Sequence, residues 1–255
     1  MAERKPEDRL IVGADFEPDE ELIGKRGARD NVKGKVLKLA ELLRDLNVYI
    51  KVNSILRACG MDLIKDIHDL GLRVMADFKL NDIPNTLEID AVLLMEFRPD
   101  IVTVMCSSSV EAMMRVREKL SPIGLKTLGV TALTTMDDEE CYGVYGCTSK
   151  ASVVKLSRLA QLAGLDGLVM SPKEIELVKT RRELQPLSIN TPGIRPDWIV
   201  VENDDQKRTD SIGKAFERGV DAIIMGRPII RHADPREAVL KTLGEIEAQL
   251  VRGHA

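Results

Sequence analysis

No apolar run in this 255-residue chain approaches the roughly 20 residues needed to cross a bilayer. The first residues, Met1-Ala2-Glu3-Arg4-Lys5-Pro6-Glu7-Asp8-Arg9, are charged and lack the apolar core of a secretory signal. Membrane and secreted classes are therefore not expected. The four cysteines, Cys59, Cys106, Cys141 and Cys147, show no C-x-x-C spacing, and His68, His232 and His254 are scattered. A zinc site is not expected on that spacing, and reduced thiols are expected in what reads as a cytoplasmic protein, although Cys141 and Cys147 could approach within one loop. Neither a Gly-x-Gly-x-x-Gly after the first apolar run nor a G-x-x-x-x-G-K-[ST] occurs, so dinucleotide and Walker-type sites have no support. There is no basic excess either. A net charge of -4 gives no long-range pull toward nucleic acid or an anionic membrane, so any phosphate must be held by a local pocket. Internal sequence repeats and low-complexity linkers are also missing.

What remains is a globular composition, 44% hydrophobic and 31% charged, in a chain long enough for a large core. Short β-like runs alternate with amphipathic stretches from end to end. The strand candidates are Leu10 to Ala14, Val48 to Val52, Arg73 to Ala76, Ile101 to Val104, Leu125 to Val130, Gly167 to Met170, Leu187 to Asn190 and Asp221 to Met225. Between them the spacing predicts helices over Val32 to Leu46, Ile55 to Leu70, Leu87 to Phe97, Val110 to Leu120, Ser152 to Leu162, Pro172 to Arg182, Ser211 to Arg218 and Pro235 to Leu250. Strict βα alternation requires a parallel sheet with crossover helices, and eight units suit an α/β fold of the closed (β/α)8 TIM-barrel type, one domain over residues 1–255. A doubly wound open sheet is the other arrangement, because a strand count does not prove closure. The charged stretch from Glu17 to Lys35 reads as a solvated loop and helix start.

In such a barrel, catalytic groups sit at the carboxyl ends of the strands. The stretch Asp77-Phe78-Lys79-Leu80-Asn81-Asp82-Ile83-Pro84-Asn85-Thr86 lies there, between the third strand and the helix that follows. Alternation along a strand places Asp77 and Lys79 on one face, with Asp82 in the turn and Pro84 at the first helical position. Asp15 closes strand one and Lys51 lies on strand two. Strand five leads into Thr131-Ala132-Leu133-Thr134-Thr135, strand seven into Thr191-Pro192-Gly193-Ile194-Arg195, and strand eight into Gly226-Arg227-Pro228-Ile229. The last two loops are the usual phosphate site of these barrels, with backbone N–H groups, a helix start and two arginines whose planar forks suit a phosphate. The segment from Pro196 to Arg208 is long and polar for a plain connection, as functional loops often are, and its Gln206 can hydrogen-bond a phosphate oxygen.

Asp77-x-Lys79-x-x-Asp82-Ile83-Pro84-Asn85-Thr86 resembles the signature of the orotidine 5'-phosphate decarboxylase family, and the likeness runs from Ala14-Asp15 to Gly226-Arg227-Pro228-Ile229. The resemblance implies a dimeric TIM barrel that makes UMP in pyrimidine synthesis with no metal and no cofactor. It implies that Lys79 protonates C6, that Asp77 lies near the substrate carboxylate, and that Lys51 bonds the ribose and the charge array. It also implies that Asp82 and Thr86 reach into the neighbouring subunit's site. Asp15 and Ile83 would contact ligand, and Thr134 or Thr135 would meet the pyrimidine. Pro192, Arg195, Gln206, Gly226 and Arg227 would serve the ring edge and the phosphate, with a phosphate-binding loop at about 193–209. A homodimer with a small nucleotide substrate, and neither nucleic acid nor membrane as partner, follows from the same likeness.

Some positions depart from that pattern. Asn53 stands where glycine is usual, Met105-Cys106-Ser107-Ser108-Ser109 replaces a stretch that commonly holds histidine, and Thr209-Asp210 replaces Thr-Pro. An alternative enzyme on the same plan is a Mg²⁺-dependent sugar-phosphate lyase of the 3-keto-L-gulonate 6-phosphate decarboxylase or hexulose 6-phosphate synthase type. A nucleotide-binding scaffold on the same barrel is the non-enzymatic alternative.

Overall fold

The structure, a computed structural model, describes residues 5–199 and 209–253. Within them lie eight strands: β1 (Leu10–Gly13), β2 (Tyr49–Val52), β3 (Arg73–Leu80), β4 (Ile101–Met105), β5 (Lys126–Val130), β6 (Gly167–Val169), β7 (Ser188–Thr191) and β8 (Ala222–Met225). Each pairs in parallel with the next, and β8 returns to β1, so the sheet closes in chain order into a (β/α)8 barrel. Closure excludes the doubly wound sheet. The surrounding helices are α1 (Ala28–Leu43), α2 (Ser54–Cys59), α3 (Asp62–His68), α4 (Pro84–Phe97), α5 (Val110–Leu120), α6 (Asp138–Tyr145), α7 (Ser149–Leu162), α8 (Ile175–Lys179), α9 (Ile212–Glu217), α10 (Arg227–Ile230) and α11 (Pro235–Gly253). None among the described residues is long and apolar enough to cross a membrane.

Strand alternation sorts the core into two layers. Ile11, Tyr49, Met75, Ile101, Leu128, Ala222 and Ile224 pack together inside the barrel. Leu10, Val12, Ile50, Val52, Val74 and Ala76 belong to the larger cluster shared with the helices. The parity that buries Tyr49 and Met75 inside sends Lys51 and Asp77, two residues further along, to the barrel's carboxyl-end mouth.

The predicted helix from Ile55 to Leu70 is two helices, parted at Gly60, whose φ of +85° favours glycine. The predicted Pro172 to Arg182 helix is the short α8 flanked by 3-10 turns. Helix α6 was not expected from apolar spacing. Its sequence signal is the capping box in which Asp137 accepts from the Glu140 N–H and Glu140 from the Asp137 N–H.

At the amino-terminal end of the barrel one device recurs. Asp100, Asp166 and Asp221 each accept the N–H of a residue on the preceding strand: Val74 at 2.7 Å, Thr127 at 2.8 Å and Ile189 at 2.8 Å. A basic side chain meets each acid, His68 at 3.1 Å, Arg117 at 3.2 Å and Lys179 at 2.8 Å. These acids fix the strand starts, and so the strand ends that carry the site.

Candidate active site

Four ionisable groups form a row across the mouth. Lys51 Nζ lies 3.0 and 2.8 Å from the two carboxylate oxygens of Asp15 and 3.4 Å from Asp77 Oδ2. Lys79 Nζ reaches the same Asp77 oxygen at 2.6 Å. The order is acid, amine, acid, amine. Lys51 is 7% exposed and Asp77 5%, so their interaction is poorly screened by water. Burial by itself pushes the Asp77 carboxyl up. The charges of Lys51 and Lys79, with hydrogen bonds from Lys79 and Thr103, outweigh burial and hold it below the ordinary carboxylate value. Burial likewise pushes Lys51 down, and Asp15 and Asp77 together raise it above its ordinary value.

The approach of Lys79 to Asp77 depends on an irregular strand. On β4 the partners of Ala76 and Leu80 are Val102 and Val104, so four steps of β3 face two of β4. Inside this bulge Lys79 adopts a φ of +53°, left-handed and unusual for a side-chain-bearing residue. Simple alternation therefore does not account for the meeting of Asp77 and Lys79. Thr103 of β4 secures it: its buried hydroxyl accepts the Lys79 backbone N–H and donates to Asp77 Oδ1, both at 2.9 Å. Sequence reading passed over Thr103. The available signal was a hydroxyl at the inward parity of Ile101 in an otherwise apolar strand. Gly13 was also missed. A Cβ there would lie 3.3 Å from Asp15 Oδ2 and 3.4 Å from Lys51 Cε, so glycine gives the pair its room.

The row opens into a cavity of about 610 Å³. Thr134, Pro192, Arg195, Gly226 and Arg227 line it with the row, whereas Thr135 does not. Asp82, Ile83 and Thr86 are outside this cavity, with Asp82 and Ile83 exposed to solvent beside it in sequence. Gln206 lies outside the described residues. Glu17 and Lys35 also line the cavity, which corrects the view of that charged stretch as wholly solvated. Lys35 is held there by the Glu17 carbonyl at 2.8 Å and by Asp19 at 2.7 Å. Arg231, one turn beyond Arg227, is a further lining cation. Lys35, Lys51, Lys79, Arg195, Arg227 and Arg231 face Asp15, Glu17 and Asp77, six cations against three acids in a chain of net charge -4. The lining thus carries an excess of positive charge, which suits an anion.

Two of the unusual positions have structural roles. Asn53 lines the cavity and caps α2 by accepting the Ser54 N–H. Ser108 Oγ lies 2.8 Å from Asn81 Oδ1 and donates to it, bracing the turn before Asp82 from the β4 loop.

Fold and site together define a (β/α)8-barrel enzyme with alternating acids and amines at the mouth. The model of the "Orotidine 5'-phosphate decarboxylase / HUMPS family" matches residues 8–242, and the chain belongs to that family. An orotidine 5'-phosphate decarboxylase of Syntrophomonas wolfei is 36% identical over 220 residues, covering 81% of this chain and 91% of that protein. One from Campylobacter fetus is 36% identical over 216 residues, covering 82% and 93%. The crystal structure of orotidine 5'-phosphate decarboxylase from Lactobacillus acidophilus superposes with a TM-score of 0.72 at 27% identity, covering 95% of this chain and 99% of the other.

Proposed function

We propose that this chain decarboxylates orotidine 5'-phosphate to UMP, without metal or cofactor, as a cytoplasmic homodimer in pyrimidine biosynthesis. The observation that carries this reading is the row Asp15, Lys51, Asp77, Lys79, buried at its centre, at one side of a cavity rich in cations. Such a site suits a substrate with one anionic group to lose and another to be gripped.

Breaking the bond between C6 and the carboxylate leaves its electron pair on C6 and releases CO2. No neighbouring carbonyl delocalises that pair, so stabilisation must come from fixed charge. The Lys79 ammonium supplies it and then transfers a proton to C6, forming the C–H bond of UMP; solvent reprotonates the amine. Asp77 holds Lys79 in place and, facing the substrate carboxylate, adds repulsion that is relieved as CO2 departs. Lys51 bonds the ribose and keeps Asp77 ionised, with Asp15 as its second partner. Thr134 faces the pyrimidine, and Pro192 its edge. Arg195 and Gln206, from a loop spanning about 193–209, hold the phosphate together with Arg227 and the backbone at Gly226. Binding energy from that remote group then contributes to the chemistry.

The row ends at Lys79, and a second chain would complete it with its Asp82 and Thr86, while Ile83 contacts the substrate. Supporting such a dimer, Ile83, Ile89, Val92 and Leu93 at and along α4 are each about half exposed or more, at 65%, 53%, 49% and 52%. An apolar face of that kind is what a permanent interface covers.

A spectrophotometric decarboxylation assay with orotidine 5'-phosphate, with and without EDTA, tests the reading. Turnover unaffected by chelator is expected. Strict Mg²⁺ dependence with sugar phosphates as substrates would transfer the chain to the sugar-phosphate branch, and UMP binding without turnover would make it a scaffold.

A further inference from the structure

The chain's single tryptophan stands three residues after Arg195, on the limb that leaves β7. Its environment is more elaborate than a surface turn requires. Trp198 Nε1 donates to Glu245 Oε1 at 2.7 Å. Its ring meets the His232 imidazole edge-on, with centroids 5.8 Å apart and planes at 84°. The Lys241 ammonium lies 5.9 Å from the ring centroid, and Lys241 and Glu245 are neighbours four residues apart on α11.

His232 directly follows Arg231 and closes the turn that begins at Gly226. It is itself fixed at Asp234, whose carbonyl oxygen lies 2.7 Å from Nδ1 and whose N–H lies 3.1 Å from the same atom. Trp198, itself on the limb carrying Arg195, thus makes a ring contact with the residue that follows Arg231 in the turn carrying Arg227 and Arg231, and a hydrogen bond to an outer helix that does not line the cavity. The foot of the limb is separately pinned, since the Arg195 N–H donates to the Asp210 carbonyl at 2.8 Å and the Asp210 N–H to that of Gly193 at 3.1 Å.

An anion gripped by arginines from two different loops is bound tightly only if those loops already stand at the right separation. Otherwise the entropy of ordering them is deducted from the affinity. We propose that Trp198 is a positioning residue of the nucleotide site: through Glu245 and His232 it sets the spacing between the Arg195 limb and the Arg227 turn, and so contributes selectively to recognition of the 5'-phosphate. The inference rests on the reading of this cavity as a nucleotide 5'-phosphate site.

Dissociation constants for UMP and for uridine, measured by calorimetry or competitive displacement on the full chain, separate this role from general packing. Trp198→Ala is expected to weaken UMP by about tenfold or more while changing uridine less than about twofold. Trp198→Phe keeps a ring against His232 but no donor for Glu245, and an intermediate loss for UMP is expected. It also serves where the alanine variant fails to fold. The tryptophan emission of the unaltered protein provides a second readout: a change on adding UMP, absent with uridine and lost in Arg227→Ala. Equal losses for the nucleotide and the nucleoside, or wild-type UMP affinity in the folded variants, would overturn the role of Trp198. Failure of the unaltered protein to bind UMP would instead remove the nucleotide reading on which it rests.

Discussion

A carboxylate as deeply buried as that of Asp77 stays ionised only because two ammonium groups and a hydroxyl face it. Its lowered pKa means that its contribution to stability is fully present above the unfolded value of 3.8 and is lost as pH falls through the lower folded value. Lys51 has the opposite sign. Its raised pKa gives a contribution fully present below the unfolded value of 10.5 and lost as pH rises through the higher folded value. Both contributions are therefore complete at neutral pH. Denaturant titrations should show Asp77→Asn flattening part of the acid-side fall in stability, with unfolding free energy measured between pH 2 and pH 6. Lys79→Ala is expected to lower kcat by about 10⁴-fold or more while UMP binding remains measurable. Full activity in that variant would remove the proton donor from Lys79.

At the scale of elements, the barrel mouth is shaped by two features of β3 and β4 that no periodicity reveals. Asp77 and Lys79 of the D-x-K-x-x-D stretch were legible as neighbours at the mouth, whereas Asp82 is outside the cavity, and alternation explains the geometry wrongly, because the bulge and the left-handed Lys79 bring the ammonium to Asp77. Thr103 holds that bulge. Thr103→Val should leave the Lys79 N–H without its acceptor and cost about 1–3 kcal/mol, seen as a lower Tm, and should reduce kcat more than it raises KM. The strand candidates lay within a residue or so of β1, β2 and β4 to β8, since apolar runs bounded by turns survive any tertiary context. Helix α6 did not stand out, being short and poorly amphipathic and marked by its caps alone. The three strand-start acids make the complementary prediction. Asp166→Ala should destabilise by about 1–3 kcal/mol through the exposed Thr127 N–H and lost Arg117 partner, yet leave kcat/KM unchanged, because it lies at the end of the barrel opposite the site.

For the whole molecule, overall charge and local charge point in different directions. A chain of net charge -4 gathers six cations around one cavity; four of them, Lys51, Lys79, Arg195 and Arg227, were legible in the sequence, and the fold adds two more of its 37 basic residues. Lys35 and Arg231 could not be singled out from spacing, as each reads as an ordinary surface cation until α1 and the β8 turn are placed. The apolar face of α4 makes the oligomer part of the same question. If the proposed dimer forms through this face, Val92→Asp should give monomers in sedimentation experiments and, by withdrawing a second chain's Asp82, abolish turnover while circular dichroism stays barrel-like.

Subunit mixing tests the shared row most directly. Lys79→Ala and Asp82→Asn chains are each expected to be inactive alone. In a mixed dimer, one site receives Lys79 from the second chain and Asp82 from the first, so co-refolding the two should restore decarboxylation of orotidine 5'-phosphate at a level set by the mixed-dimer fraction. Mixed dimers seen by native mass spectrometry but as inactive as their parents would contradict the proposal that the row is completed across the interface.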